Sequence, residues 1–200
     1  MTKKLSLIIP AKNEVESLEA VLLEVKNNNL IGEIIVIVDD EFDNSVSIAK
    51  KFNCKLVVQK SSGYGSAIIE GFKNSKFEFG CIFNADHSFD PKYLDRMLNE
   101  SDKNDFVFGT RYNKDSGSDD DTIVTFIGNK IFSFIGNKIL KIRLTDILFT
   151  YVLCNVDKFN KLNLKNKDFK FCIELPAKVK QNNFSYTEIP IFERKRYGGK

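Results

Sequence analysis

Hydrophobic residues recur along this chain in two alternating patterns. The continuous apolar runs Leu5–Ile9 and Ile34–Val38 are typical of buried strands. Between them, apolar residues from Val15 to Val25 recur every three or four positions, which predicts a helix with one buried face. Asn13 precedes that helix and is its predicted N-cap. A strand, a helix and a second strand of this kind form the repeating unit of a parallel sheet.

The same alternation continues to residue 110 and resumes near the C-terminus. The polar, Gly- and Asp-rich residues 114–122 interrupt it and predict a mobile loop. Strands and helices at this interval imply βαβ units and a mostly parallel sheet. The further strands are predicted at 56–58, 79–83, 105–110 and 184–192, and the further helices at 44–52, 63–73, from Asp90-Pro91 onward, and at 171–181.

The segment 123–142 is apolar around much of its helical circumference. The motif Phe-Ile-Gly-Asn-Lys-Ile starts at Phe126 and again at Phe134, a repeat too short to be a structural unit of its own. Lysines, including Lys130 and Lys138, occupy the remaining face. Two interpretations stay open: a helix buried in the core, or a helix that lies at a membrane interface with its basic residues towards the headgroups.

Composition indicates one cytoplasmic domain covering residues 1–200. The 42% hydrophobic fraction and 18 Phe suffice for a single core, and a net charge of +3 without basic runs argues against nucleic-acid binding. The four cysteines form no Cys-x-x-Cys pair, so neither zinc nor a redox motif is supported. We expect no signal peptide. We also expect no membrane-spanning segment, because no apolar run approaches the roughly 18–20 residues that span a bilayer and the longest candidate is Ile147–Cys154.

Acidic residues follow two of the buried strands directly. Asp39 and Asp40 end one strand, and Asn84 and Asp86 follow another. In open α/β sheets, ligands bind in the crevice beyond such strand ends. Asp86, with the oxygens of Asn84 and Ser88, therefore predicts a site for Mg²⁺ or Mn²⁺, hard ions that prefer oxygen ligands and bridge to phosphates.

Glycine and basic residues add weaker signals. Gly63-Tyr64-Gly65 lacks the third glycine of a dinucleotide fingerprint, because position 68 is Ile68. What remains is a flexible loop before a helix whose N-terminus could face an anion. The basic tail has two open interpretations, a counter-charge for phosphate or a solvated end of the chain; its members are Arg194, Lys195, Arg196 and Lys200.

Taken in order, these motifs resemble family 2 glycosyltransferases of the GT-A fold. The nearest resemblance is to dolichyl-phosphate mannose synthase-like and other polyprenyl-phosphate glycosyltransferases, and it runs from Leu5 to Lys200. The matching segments are Pro10-Ala11-Lys12-Asn13-Glu14, Val38-Asp39-Asp40 with Asp43, Gly63 to Ile68 with Gly71, Asn84-Ala85-Asp86 with Asp90-Pro91, Gly109-Thr110-Arg111-Tyr112, and the C-terminal series Glu174, Pro190, Arg194, Arg196 and Gly198.

The resemblance implies an α/β domain of GT-A fold, a mostly parallel sheet flanked by helices. It implies inverting transfer of a sugar from a nucleotide-diphosphate sugar to a polyprenyl phosphate, with Mg²⁺ or Mn²⁺, and it makes 113–142 an acceptor loop and amphipathic helix. The implied catalytic residues are Asp86, Arg111, Arg194 and Arg196; the implied metal ligands are Asp86, Asn84 and Ser88; the implied donor-binding residues are Pro10, Asn13, Glu14, Asp39, Asp40, Gly65, Asn84 and Ala85.

Three departures from the family pattern keep alternatives open. Glu41-Phe42 replaces a Gly-Ser pair, Asn84 replaces an acid of the metal motif, and the segment 147–151 differs from the family's. A transferase acting on a growing saccharide would need a general base, which Glu174, Asp146 or an acid at 119–121 would supply. A non-catalytic nucleotide-sugar-binding relative is the other alternative. Peripheral contact with the inner membrane face is left open, and the oligomeric state is not fixed.

Overall fold

The computed structural model describes residues 3–197 and confirms the predicted alternation of strands and helices. Helices and strands follow one another in the expected order up to β5. The elements are β1 Leu5–Pro10, α1 Val15–Val25, β2 Ile31–Val38, α2 Ser45–Lys51, β3 Lys55–Val58, α3 Tyr64–Lys73, β4 Phe79–Ile82, a 3₁₀ turn Pro91–Tyr93 leading into α4 Leu94–Glu100, β5 Phe106–Thr110, β6 Gly117–Ser118, α5 Ile123–Leu140, β7 Val152–Asn155, α6 Val156–Lys161, α7 Phe171–Gln181, β8 Tyr186–Pro190 and β9 Phe192–Glu193.

The main sheet has seven strands in the order β3-β2-β1-β4-β7-β5-β8. All neighbours pair in parallel except β7, which is antiparallel to both β4 and β5. The carboxyl ends of β1, β2, β4 and β5 therefore lie along one edge, together with the start of β7. Polar residues that follow those strands converge at this edge, where α/β sheets bind ligands.

Helices cover both faces of the sheet. Successive side chains of a strand point to opposite faces, so neighbouring residues of one strand pack on different helices. Leu7 and Ile9 pack with buried residues of α1, α2 and α4. Ile8, between them, packs with α3, α6 and α7 on the other face. Gly71 lets α3 approach closely, since a Cβ there would lie 2.4 Å from Ile8. Continuous apolar runs in β1 and β2 thus reflect burial on two sides.

The sequence analysis was wrong or incomplete at three places in the fold. Asn13 is not an N-cap: it has a left-handed backbone (φ 56°), and α1 begins after Glu14. The antiparallel strand β7 and the short helix α6 were not predicted. The loop 114–122 contains β6, which pairs in parallel with β9 and forms a separate two-stranded sheet.

Helix α5 is not a core helix. Ser133 is its one buried residue, while apolar side chains such as Ile123, Phe134 and Ile139 are 80%, 61% and 73% exposed. The statement that no apolar run reaches membrane-spanning length was also wrong. By length and composition, the 18 residues of α5 are sufficient to cross a bilayer.

Candidate functional site

A cavity of about 500 Å³ opens at the carboxyl edge of the sheet. The ends of β1, β2, β3 and β4 form one side, and the start of α3 and the loop before α7 form the other. Its lining is polar at the strand ends and aromatic beneath the loop. The lining residues are Pro10, Ala11, Lys12, Glu14, Ile37, Asp39, Gln59, Ser62, Gly63, Tyr64, Ala67, Asn84, Ala85, Asp86, Leu148, Thr150, Phe169, Cys172 and Arg196.

Asp39 anchors one end of the cavity. Its carboxylate forms an ion pair with Lys12 Nζ at 2.5 Å and accepts hydrogen bonds from the Ser62 hydroxyl at 3.2 Å and from Gln59 Nε2. The hydrogen bond to Asp39 and the charge of that carboxylate raise the pKa of Lys12. Gln59 Oε1 is buried without a hydrogen-bond partner within the described residues. This end of the cavity offers charged and amide groups suited to a nucleobase or ribose.

Asp86 anchors the opposite end, in the loop after β4. Its Oδ1 accepts hydrogen bonds from the Ser88 backbone N–H at 3.0 Å and from the Ser88 hydroxyl at 2.6 Å. Asn84 Oδ1 accepts the Tyr64 hydroxyl at 3.3 Å, and that hydroxyl also lies 2.6 Å from Thr150 Oγ1. Burial raises the pKa of Tyr64 well above its ordinary value, so the phenol stays protonated. These bonds fix the orientation of the strand-end oxygens.

The donor atoms around Asp86 fit a divalent ion that is shared with a phosphate ligand. Asp86 and Asn84 present a carboxylate and an amide oxygen to the same cavity. Within residues 3–197, no three acidic, His or Cys side chains cluster as a complete metal site. Mg²⁺ in phosphate-binding sites is commonly held by one or two carboxylates, with substrate phosphates and water completing its coordination. The pair therefore fits Mg²⁺ or Mn²⁺ that binds together with a diphosphate.

The chain after β9 crosses this end of the cavity. The Arg194 N–H donates to the Ser88 carbonyl at 3.0 Å, and the Tyr197 N–H donates to the Asp86 carbonyl at 2.8 Å. Between them, Arg196 lines the cavity, and its guanidinium pairs with Asp120 at 2.7 Å. These backbone bonds place a cation beside the Asp86 loop.

Arg111 lies at a second cavity, of about 610 Å³, between the loop 113–122 and the start of α5. It makes a bidentate pair with the fully buried Asp146 at 2.7 and 3.1 Å, and its Nη1 lies 3.2 Å from Glu193 and 3.8 Å from Asp121. Burial alone would lower the pKa of Arg111, but the hydrogen bonds and charge of Asp146 raise it. Burial raises the pKa of Glu193. Three carboxylates thus surround one guanidinium.

The structure brings about half of the predicted site residues together at the first cavity. They come from the ends of three adjacent parallel strands and from the C-terminal segment, which explains why widely separated positions meet. These residues are Pro10, Glu14, Asp39, Asn84, Ala85, Asp86 and Arg196.

Three predicted donor-binding residues have contacts within the protein instead. Asn13 donates its backbone N–H to Asp43 at 3.0 Å, which ties the β1–α1 loop to the start of α2. The Asp40 carboxylate accepts the Phe42 N–H at 2.8 Å in an exposed turn. Gly65 packs against the loop before α7, where a Cβ would lie 2.4 Å from the carbonyl of Asn166. None of the three lines the described cavity.

Three further predicted residues are also away from the cavity wall. Ser88 donates its hydroxyl to the Asp86 carboxylate, so it orients the side chain that is proposed to bind the metal. Arg194 forms a bidentate pair with Glu24 of α1, at 2.9 Å for both bonds. Arg111 belongs to the second cavity. Gly198 and Lys200, which the sequence analysis also singled out, lie outside the described residues.

Sequence analysis missed several residues that line the cavity. Gln59 and Ser62 follow a short strand in a segment without a distinctive motif. Phe169 stacks on Tyr64, with ring centroids 5.2 Å apart, although the two are far apart in the chain. Cys172 also lines the cavity, and burial raises its pKa to about 11, so its thiol is protonated. The four cysteines are free thiols.

Two curated relatives each align with slightly more than half of the chain. A dolichol-phosphate mannosyltransferase of Pyrococcus furiosus is 33% identical over 120 residues, which cover 56% of this chain and 34% of that protein. An uncharacterized glycosyltransferase of Mycobacterium tuberculosis is 30% identical over 107 residues, 53% of this chain and 48% of that protein. The chain therefore matches between a third and a half of the length of these relatives.

Solved structures identify the fold. Glucosyl-3-phosphoglycerate synthase of Mycobacterium tuberculosis, in complex with Mn²⁺ and UDP-glucose, matches with a TM-score of 0.73 at 13% identity, covering 99% of this chain and 72% of that chain. The same enzyme with Mg²⁺ and UDP matches with a TM-score of 0.72. The expected GT-A fold is confirmed. The profile of glycosyl transferase family 2 matches residues 6–162, and the chain belongs to this family.

Proposed function

We propose that the protein transfers a sugar from a nucleotide-diphosphate sugar to a polyprenyl phosphate, with inversion at the anomeric carbon and with Mg²⁺ or Mn²⁺. One observation carries the proposal: the first cavity has Asp39 at one end, and Asp86 with Arg196 at the other. A nucleotide-diphosphate sugar has a polar base at one end and a charged diphosphate further along. The cavity offers complementary groups for both.

The donor would bind along the strand ends. Asp39, Lys12 and Ser62 would contact the base and ribose, and Pro10 would shape the wall beside them. Asp86 and Asn84 would hold the metal against the diphosphate, where the ion neutralises charge on the leaving group. Arg196 would add a second positive charge. Catalysis would then depend on positioning and on stabilising the departing diphosphate.

Except for the exposed Asp119, the carboxylates considered as general bases already have partners among the described residues. Glu174 accepts the N–H groups of Lys165 and Asn166 at 2.8–3.0 Å. Asp146 is paired with Arg111, and Asp121 accepts the Tyr112 hydroxyl at 2.6 Å. A phosphate acceptor needs no such base, because its oxygen is ionised at neutral pH. This favours a phosphate over a saccharide hydroxyl.

The proposed reaction is a single displacement. An oxygen of the acceptor phosphate forms a bond to the anomeric carbon, from the face opposite the nucleotide. The bond between that carbon and the diphosphate oxygen breaks, and its electron pair leaves with the nucleoside diphosphate. No proton has to be removed from the acceptor, which agrees with the hydrogen-bonded state of Glu174, Asp146 and Asp121.

The exposed, apolar surface of helix α5 favours an acceptor that is embedded in a membrane. Polar or small residues spaced along it attach it to the domain: Asn129 to Tyr112, Ser133 to Ile147 and Asn137 to Leu144. Attachment along its length makes α5 lie on the domain, with its apolar face outward. Lys130 and Lys138 extend over its Phe rings at 5.0 and 4.5 Å. This arrangement suits a helix in the headgroup region, and we propose peripheral contact with the cytoplasmic membrane face.

A nucleotide and metal panel tests the donor half of the proposal. Thermal unfolding would be measured with UDP-, GDP- and other nucleotide-sugars, each with Mn²⁺, Mg²⁺ or a chelator. A ligand at about 100 times its Kd adds roughly 2.7 kcal/mol to stability, a rise of several degrees in Tm for a domain of this size. We expect one donor to act, and only with metal. Binding that ignores metal would favour a non-catalytic relative, and no shift with any donor would refute the proposal.

The acceptor half needs a transfer assay with the donor so identified. Polyprenyl phosphate in vesicles, phosphoglycerate and a neutral oligosaccharide would be compared as acceptors. We expect transfer to the polyprenyl phosphate. Transfer to phosphoglycerate would support a phosphate acceptor but contradict a lipid acceptor. Transfer to the oligosaccharide would contradict a phosphate acceptor.

A further inference from the structure

The segment 191–197 connects the two cavities. On one side, β9 pairs with β6, and the Ser118 hydroxyl donates to Glu193 at 2.6 Å. On the other side, the Tyr197 N–H donates to the Asp86 carbonyl. The loop that borders the second cavity and the loop that carries Asp86 are thus held by the same short stretch of chain. A side chain on the loop 113–122, which borders the second cavity, can therefore influence the first cavity directly.

Asp120 makes the side-chain contact across this connection. Its Oδ2 accepts hydrogen bonds from Arg196 Nε at 2.8 Å and pairs with Nη2 at 2.7 Å. The Asp120 side chain is 19% exposed, whereas that of Arg196 is 60% exposed. Hydrogen bonding to Arg196 lowers the pKa of Asp120, so the pair is charged at neutral pH. The carboxylate holds one edge of the guanidinium and leaves Nη1 without a hydrogen-bond partner among residues 3–197.

Contacts within the loop fix the backbone that carries the Asp120 side chain. The backbone N–H groups of Asp120 and Asp121 both donate to the Ser118 hydroxyl at 3.1 Å. Ser118 in turn lies in β6, which is paired with β9. The anchor is therefore part of the ordered two-stranded sheet, while the arginine it holds lines the first cavity. An anchored acid and a partly exposed cation form a preorganised contact for an anion.

We propose that Asp120 is a positioning residue, which holds Arg196 in place to contact the diphosphate of the nucleotide donor. The proposal rests on the proposed function, because it assumes that a nucleotide diphosphate occupies the first cavity. Asp120 itself does not touch the ligand. It supplies orientation to a flexible side chain that would otherwise lose more conformational entropy on binding.

The test is a double-mutant cycle on nucleotide binding. Kd values for UDP and GDP with Mn²⁺ would be measured by calorimetry for the unchanged protein, Asp120→Asn, Arg196→Gln and the double variant. Asp115→Asn is the matched control: it makes the same charge change in the same loop, at an exposed position with positive φ (64°) that Asn tolerates. Asp120→Glu tests rescue, and Tm values check that each variant is folded.

We expect Asp120→Asn to weaken binding about tenfold, the scale on which neighbouring charged groups couple, with Asp115→Asn unchanged. The double variant should bind no more weakly than Arg196→Gln alone, and Asp120→Glu should recover most of the affinity. Equal binding by Asp120→Asn and Asp115→Asn would overturn the inference, as would additive losses or tighter binding by Asp120→Asn. If the unchanged protein binds neither UDP nor GDP but another donor of the panel, the cycle is run with the nucleoside diphosphate of that donor. If it binds no donor at all, the proposed function fails, and the inference fails with it.

Discussion

The two cavities use charge in opposite ways. In the first, Asp86 and Arg196 are partly exposed and keep hydrogen-bonding capacity that the described protein groups do not fill. In the second, the Arg111 side chain is 10% exposed and is surrounded by Asp146, Glu193 and Asp121. One group of charges is available to a ligand, and the other is satisfied by the protein.

This difference separates residues that the family resemblance treats alike. The resemblance implied that Arg111 and Arg196 are both catalytic, yet of the two only Arg196 lines the cavity with Asp86. A buried arginine with a bidentate carboxylate is costly to disturb, because either partner left alone is an uncompensated charge. We therefore expect the loss of Arg111 to reduce mainly the stability of the fold around the second cavity. Three predictions test the contrast, and they run from the largest expected effect to the smallest.

The strongest test of the open cavity is Asp86→Asn. This change keeps the shape and the bond to Ser88 but removes the negative charge that would hold the metal. We expect kcat to fall by roughly 10²–10³, as when one preorganised electrostatic group is removed, with little change in Tm. Asp95→Asn, on the exposed face of α4, is the control for loss of an acidic residue. Full activity in Asp86→Asn would show that the charge of Asp86 is not needed for catalysis.

The strongest test of the closed cluster is Arg111→Ala. It leaves Asp146 buried without its partner, and we expect a loss of about 3–5 kcal/mol in the free energy of unfolding, measured with denaturant. The double variant with Asp146→Ala should recover part of that loss. Arg143→Ala, at an exposed position, should change stability little. If Arg111→Ala kept full stability and raised only the acceptor KM, the contrast between the cavities would be wrong.

A smaller effect is expected at the exposed face of α5, where Phe134→Glu tests the apolar surface of this helix. Phe134 is 61% exposed, so the substitution should leave Tm almost unchanged. Binding to vesicles that contain phosphatidylglycerol should weaken about tenfold or more, because an apolar contact is lost and a repelled charge is added. Leu23→Glu, which is 50% exposed on α1, is the matched control. Equal vesicle binding by both variants would refute a membrane role for α5.

Sequence patterns predicted the open cavity better than the closed cluster. Asp39 and Asp86 follow apolar strands directly, so their position at the sheet edge follows from local patterning. Arg111 gave no such signal, because its partners Asp146 and Glu193 are 35 and 82 positions away. Gln59 and Phe169 reach the cavity from loops, where no periodicity indicates which way a side chain points.

The fold was predictable where strands and helices alternate, and less so where they do not. Strands β1 to β5 were expected because each is a distinct apolar run beside a helical pattern. Strand β7 is four residues long and overlaps the end of the apolar stretch Ile147–Cys154, and nothing local shows that it inserts antiparallel between β4 and β5. The exposure of α5 was left open, since an apolar helix looks the same in a core and at a membrane surface.

The position of β7 also sets the order in which the sheet can assemble during synthesis. Strands β3, β2, β1 and β4 are contiguous, and all are complete once Ile82 has been added to the growing chain. By contrast, β5 joins them only through β7, which ends at Asn155. A nascent chain can thus pair its first four strands while the apolar strand β5, already synthesised, waits without a neighbour. During that interval Phe106–Thr110 is an unpaired apolar strand open to misassociation, and a chaperone that shielded it would protect the assembling sheet.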